Sequence, residues 1–157
     1  MRSTRFLLVA ASLIATACAS DGSTSPKSNP VNDTRLAAAT LAPTAAVNDP
    51  TVTMQVSVTS ALPESVSAGV CAQTVEARAV TGTTWTDVTS ITSVCSAVAV
   101  VLLPGGTANL SASGDQAKIR AAAGAGASTV VLRAKILMAG ASTTYQVESN
   151  EVTWKLP

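Results

Sequence analysis

The stretch Thr51–Thr59, TVTMQVSVT, sets Val52, Met54, Val56 and Val58 against Thr53, Gln55 and Ser57. Alternation at period two places the first set on one face of a β-strand and the second on the other, so one face is bound for a core. A second strand is predicted in the run VCAQTVEARAV, with Cys71, Val75, Ala77 and Ala79 inward and Glu76 and Arg78 outward. Between the two, Ala61 to Gly69 carries Pro63 and Gly69 and breaks the pattern. Thr81-Gly82-Thr83 is a short reversal, so Trp85 to Ile91 is expected to pair back as a hairpin.

Further along, Ala97 to Leu103, AVAVVLL, is almost continuously apolar and reads as a central strand buried on both faces. Pro104-Gly105-Gly106 turns the chain, Thr107 to Ala112 supplies another strand, and Ser113-Gly114-Asp115 marks a further turn. Gln116 to Ala123, QAKIRAAA, has the propensity of a helix, yet Ala117, Ile119 and Ala121 also alternate with Lys118 and Arg120; the neighbourhood favours a strand. After a glycine-alanine loop, Gly124 to Ser128, clean alternation resumes over Thr129 to Met138. Thr143 to Val147 and Val152 to Leu156 complete the series, with a bend at Ser149 and Asn150 and with Trp154 on a core face. Seven to nine short strands with turn chemistry between them predict an all-β, antiparallel sandwich over residues 51–157.

In this domain the chain resembles the immunoglobulin-like and fibronectin-like modules of bacterial surface lipoproteins. Cys71 and Trp85 have the spacing of a B-strand cysteine and a C-strand tryptophan, and LLPGGTANL is similar to the proline-glycine turns that lead into a middle strand. The resemblance implies an immunoglobulin-like β-sandwich. Cys95 departs from it, coming one strand after Trp85 where antibody domains place the second cysteine far later.

The amino-terminal residues decide the compartment. In MRSTRFLLVAASLIATAC, Arg2 and Arg5 precede an apolar run from Phe6 to Ile14 that is too short for a membrane span, and Ala15-Thr16-Ala17 offers a small-residue cleavage site. Ile14 to Cys18 resembles the lipobox of bacterial lipoproteins, with Ala15 where a larger aliphatic is usual. The resemblance implies cleavage after residue 17, diacylglycerol on the Cys18 thiol, acylation of its amine and, with Ala19 next, an outer-membrane destination. An ordinary secretory signal, with Cys18 incidental, is the plainer alternative. Residues 18–50 read as a lipidated cysteine followed by a disordered tether containing four prolines. As a flexible coil it would span about 30 Å. Arg35 to Leu41 could form no more than a marginal helical turn or two.

Composition narrows the function. From Thr51 onward six basic residues face six acidic ones, without a basic cluster, so a nucleic-acid partner is not expected. Histidine is absent, which removes the commonest general base, the Ser-His and Cys-His nucleophile pairs and imidazole metal sites. With Cys18 assigned to lipid, Cys71 and Cys95 remain, and an oxidising compartment makes a disulfide the default over two buried thiols or a reactive pair. Glu148 and Glu151 could be imagined as acid and base or as calcium ligands, but Ser149 and Asn150 between them suggest a solvated bend.

No catalytic, cofactor or metal residue is assigned. Trp85, whose face partners Thr83 and Asp87 are polar, is the one candidate contact for a sugar or peptide, against core packing beside the disulfide. The expectation is a non-enzymatic envelope protein, held to the membrane through Cys18 and offering a protein or glycan partner a binding or structural surface. The domain would sit in the periplasm or at the cell surface. A protease-inhibitor-like module using Leu103 to Thr107, and a small hydrolase, are the alternatives.

Overall fold

The computed structural model describes residues 29–45, 49–69, 72–90 and 99–157. In chain order the elements are β1 (Val31–Asn32), β2 (Leu36–Thr40), β3 (Thr51–Ser60), β4 (Val66–Gly69), β5 (Gln73–Arg78) and β6 (Thr86–Asp87). They continue with β7 (Ala99–Leu102), β8 (Thr107–Asp115), α1 (Gln116–Ala123), β9 (Thr129–Ala139), β10 (Thr144–Glu148) and β11 (Val152–Lys155).

Two sheets form a sandwich. The smaller is antiparallel in the order β2-β3-β8. The larger is built on β9, whose one side pairs β10 and then β11, and whose other side pairs β4 and then β5. Each flanking column is therefore a single interrupted strand. Outside them, β7 pairs β4, β6 pairs β5, and β1 runs parallel to β10. With β2, β3 and β8 standing as strands A, B and E, and β4/β5, β9 and β10/β11 as C, F and G, the pairing is that of an immunoglobulin-like sandwich. From Thr51 onward the described strands number nine, within the expected range.

The core lies between the sheets. Val52, Met54, Val56 and Val58 of β3 are fully buried and meet Val75, Leu132, Ala134, Ile136 and Met138 of the larger sheet. After β6 the chain stitches the two sheets at one edge. The Val88 N–H donates to the Val75 carbonyl, the Asp115 N–H to the Val88 carbonyl, and the Ser90 N–H to the Ser113 carbonyl.

Several expectations are corrected. Gln116–Ala123 is a helix, not a strand, because its ends are capped and its buried residues are four apart. The Asp115 carboxylate accepts from the Ala117 and Lys118 N–H groups, Gly124 follows at φ 93°, and Ile119 and Ala123 face the core. The turn expected at Ser113-Gly114-Asp115 is the end of β8. Val66–Gly69 is a strand where a break was expected, with Val66 and Ala68 buried and Ser67 turned outward.

The apolar run before Pro104 is not a central strand: β7 lies at a sheet edge, and only Leu102 is buried while Val101 is 58% and Leu103 65% exposed. Hydrophobicity alone carries no information on edge or centre. The stretch read as a tether also contains strands. Leu36–Thr40 pairs the length of β3 from Ser60 to Val56, because Leu36, Ala38 and Thr40 alternate toward the core in a run whose alanines hide the period. Part of the stretch read as a coil therefore belongs to the sandwich.

The antibody-like spacing also falls on the wrong strands. β3, at the B position, has no cysteine, and Trp85 lies in the turn between β5 and β6. Cys18, Cys71 and Cys95 lie outside the described residues, as do residues 1–17, read from sequence as an export signal.

Candidate functional site

The sandwich has two ends. At the entry end lie the start of β1, the β3–β4 connection, the β7–β8 turn and the β9–β10 hairpin; at the helix end lie α1, the loop 124–128 and the β5–β6 turn. On the outer face of the larger sheet, the half nearest the helix end carries the charges. Register sets them side by side: Glu76 of β5 pairs with Arg133 of β9, and Lys135 pairs with both Thr74 and Glu148.

Arg133 is the hub. Its Nε donates to Glu76 Oε2 at 2.8 Å and its Nη1 to Glu148 Oε2 at 2.6 Å, while Lys135 Nζ reaches Glu76 Oε1 at 2.7 Å. Arg78 donates to Glu151 Oε2 at 2.6 Å and, through Nη1, to the carbonyls of Ala79, Val80 and Gly82. Trp85 stacks on both guanidinium groups, with Cζ of Arg133 4.2 Å and Cζ of Arg78 5.1 Å from the ring centroid. Such contacts contribute about 0.5–1 kcal/mol each at exposed sites, and more when desolvated.

Burial pushes the Glu76 carboxyl up, but hydrogen bonds from Lys135 and Arg133 outweigh it and hold the group below the usual glutamate range. Asp87, at the end of β6, is lowered by the Thr89 hydroxyl and N–H, which both donate to its Oδ1. Thr89 Oγ1 in turn accepts from the Val75 N–H, so this turn is tied to β5.

The residues singled out from sequence meet here in part. Glu148 and Glu151 lie on the same face as Trp85 but pair with different arginines. That arrangement engages both in ion pairs, where the sequence suggested only a solvated bend. Trp85 is half-buried and outside the sandwich core, on a cationic bed, so it is not packed inside as the plainer reading had it. Arg78, Arg133 and Glu76 were missed as its surroundings. Their outward placement was legible, but their adjacency needs the pairing of β5 with β9, which nothing local signals. Trp154 is half-buried and packs against the core, on the face expected for it.

The entry end holds a second polar cluster. Glu64 accepts from the Tyr145 hydroxyl at 2.6 Å and from the Ala141 N–H at 3.1 Å. These bonds, that from Tyr145 foremost, lower the Glu64 carboxyl, and Glu64 in turn raises the Tyr145 hydroxyl. Gly140 is required beside them, since a Cβ there would stand 2.9 Å from Tyr145 Cε2. Asp33 is held down to about 2 by its bonds from Arg35.

The β7–β8 turn is tight: the Gly106 N–H donates to the Leu103 carbonyl at 2.8 Å, with Gly105 at φ 72°. At the helix end, an open cavity of about 570 Å³ is lined by Arg120, Ala121, residues 124–127 and Leu156. Among the described residues no three His, Cys, Asp or Glu side chains come together as a metal site, and no helix is long and apolar enough to cross a membrane.

No protein-family model and no curated protein matches the chain. Solved structures do. A Northeast Structural Genomics Consortium target, SoR45, superposes with a TM-score of 0.52 at 6% identity, over 81% of this chain and 91% of that one. The putative ApaA protein from Bordetella pertussis follows at 0.48 and 12%, over 82% and 98%. An ASH/PapD-like domain of human CEP192 gives 0.37 and 11%, over 83% and 96%. The likeness to the first is one of fold.

Proposed function

We propose that this chain is a lipid-anchored cell-envelope module that works by contact and not by turnover. The anchor rests on Ile14 to Cys18 and the apolar run before it. Acylation at Cys18 would hold the sandwich at a membrane without any spanning helix, since each buried methylene contributes about 0.8 kcal/mol.

One observation carries the contact reading: every described carboxylate is already engaged. Asp33, Glu76, Glu148 and Glu151 are ion-paired, Glu64 holds Tyr145, Asp49 and Asp87 close turns onto Thr51 and Thr89, and Asp115 caps α1. A general acid at neutral pH needs a carboxyl raised toward 7; Glu64 and Glu76 are both lowered.

A Cys71–Cys95 disulfide is part of this reading. Gly69 and Ala99 are directly paired between β4 and β7, with Cys71 two residues beyond the first and Cys95 four residues before the second. At about 3.3 Å per residue, the chain beyond that pair is long enough to let the two cysteines meet. Closing that loop would contribute about 3–4 kcal/mol in the loop-entropy picture.

Fractionation of cells expressing the parent chain and Cys18→Ser tests the anchor. The parent is expected with the membranes and the variant unprocessed or released. Processing and release of the two alike would exclude acylation.

A further inference from the structure

On the outer face of the larger sheet, the half nearest the entry end is bare of charge. Reading across the register from β7 through β4 and β9 to β10, one row is Val101, Ser67, Ala139 and Thr144; toward the helix end Ala99 pairs with Gly69, and Leu137 with Gln146. Leu103, beyond the end of β7, is 65% exposed, with Val101 at 58% and Leu137 at 39%. The charged groups near this end are engaged elsewhere, Asp33 with Arg35 and Glu64 with Tyr145 and Ala141.

The chain length before the fold says what covers this face. Only residues 19–28 separate Cys18 from the first described residue, Asn29, and β1 enters beside β10, two strands or about 10 Å from β9. Eleven peptide steps reach at most about 38 Å and average about 18 Å as a coil. β9 is 11 residues, or about 35 Å, long, so placing the helix end at the lipid would stretch the tether nearly taut.

Resting on the Cys18 anchor proposed above, we infer that the face formed by Val101, Leu103 and Leu137 lies against the lipid surface. The inference also sets the outward view. The helix end, with α1, the cavity beside Arg120 and the Trp85–Arg133 stack, points away from the membrane toward partners. The ion pairs of Arg133, Lys135 and Arg78 stay clear of the lipid, where they meet no further desolvation.

The test uses the mature full chain in phosphatidylethanolamine/phosphatidylglycerol nanodiscs doped with a gadolinium-chelating lipid, observed through its Val, Leu and Ile methyl groups. Loss of the Val101, Leu103 and Leu137 signals, with those of Leu156 and Ile119 retained, is the expected result. In a Val101→Asp/Leu103→Asp variant, changed only at exposed positions, the Leu137 signal should return. Equal broadening at both ends, or broadening confined to the helix end, would overturn the orientation while the acyl mass of the same sample still upheld the anchor. A dimer whose Val101 and Leu103 methyls are shielded from the gadolinium would give the face to a second copy and refute the lipid contact. A mass without acyl chains would remove the anchor and this inference together.

Discussion

Along β9 the outward side chains run Arg133, Lys135, Leu137 and Ala139, and their company changes abruptly after Lys135. Arg133 and Lys135 share Glu76, and Arg133 lies against Trp85. Leu137 and Ala139 have Gln146, Thr144 and Ser67 beside them and no ionic partner. Along one strand, Arg133 and Lys135 are thus answered from within the chain, while Leu137 and Ala139 meet solvent. The charged half is satisfied by contacts within the chain, whereas the other half leaves Val101, Leu103 and Leu137 in solvent.

The largest way to sharpen that contrast is at two glycines. A Cβ on Gly114 would stand 2.9 Å from Ile119 Cδ1 and 3.3 Å from Val75 Cγ1, under the helix, whereas Gly69 on the uncharged half has nothing within 4 Å. Gly114→Val should cost about 1–3 kcal/mol, as overpacking of a tight core does. Gly69→Ala should change stability by less than about 0.5 kcal/mol, and urea titration compares the two directly.

Next comes the hub. Arg133→Ala removes both bonds to carboxylates and one side of the Trp85 stack, leaving Glu76 with Lys135 alone; a loss of about 1–2 kcal/mol is expected. Leu137→Ser, two residues along the same face, should stay within about 0.5 kcal/mol. Equal losses at the two positions would mean that the two halves are not different in kind.

Acid provides a finer comparison. Glu76, Glu64 and Asp87 have folded pKa values below their ordinary ones, so they bind protons more tightly when the chain unfolds. Their stabilisation is complete above the ordinary values of 4.5 and 3.8 and is lost as pH falls through the lowered ones. The melting temperature should hold steady from neutrality to about pH 5 and drop below that. In Arg133→Ala the drop should be shallower, because Glu76 has lost one of the groups that lower it.

Much of this was legible in the chain, and the part that was not has physical causes. β3 could be read outright because its apolar and polar residues alternate with no neutral residue between them. β2 could not, since alanine at Ala37, Ala38 and Ala39 fits either face. The helix was hidden by a chance alternation of Ala117, Ile119 and Ala121 with two cations, although Asp115 and Gly124 mark its ends in the sequence. The run before Pro104 gave its strand but not its place, because an edge and a centre can share one hydrophobic pattern. At the candidate site, Trp85 was visible as an aromatic among polar neighbours, yet its two arginines come from strands 50 or so residues apart in sequence, and only tertiary pairing brings them together.

The account depends most on the anchor at Cys18, and the intact mass of the mature protein, taken before and after reduction, tests it most directly. The predicted result is a chain beginning at Cys18, heavier by its acyl chains, and gaining two hydrogens on reduction as Cys71 and Cys95 separate. A chain that keeps residues 1–17, or one cut there but carrying no lipid, would contradict it.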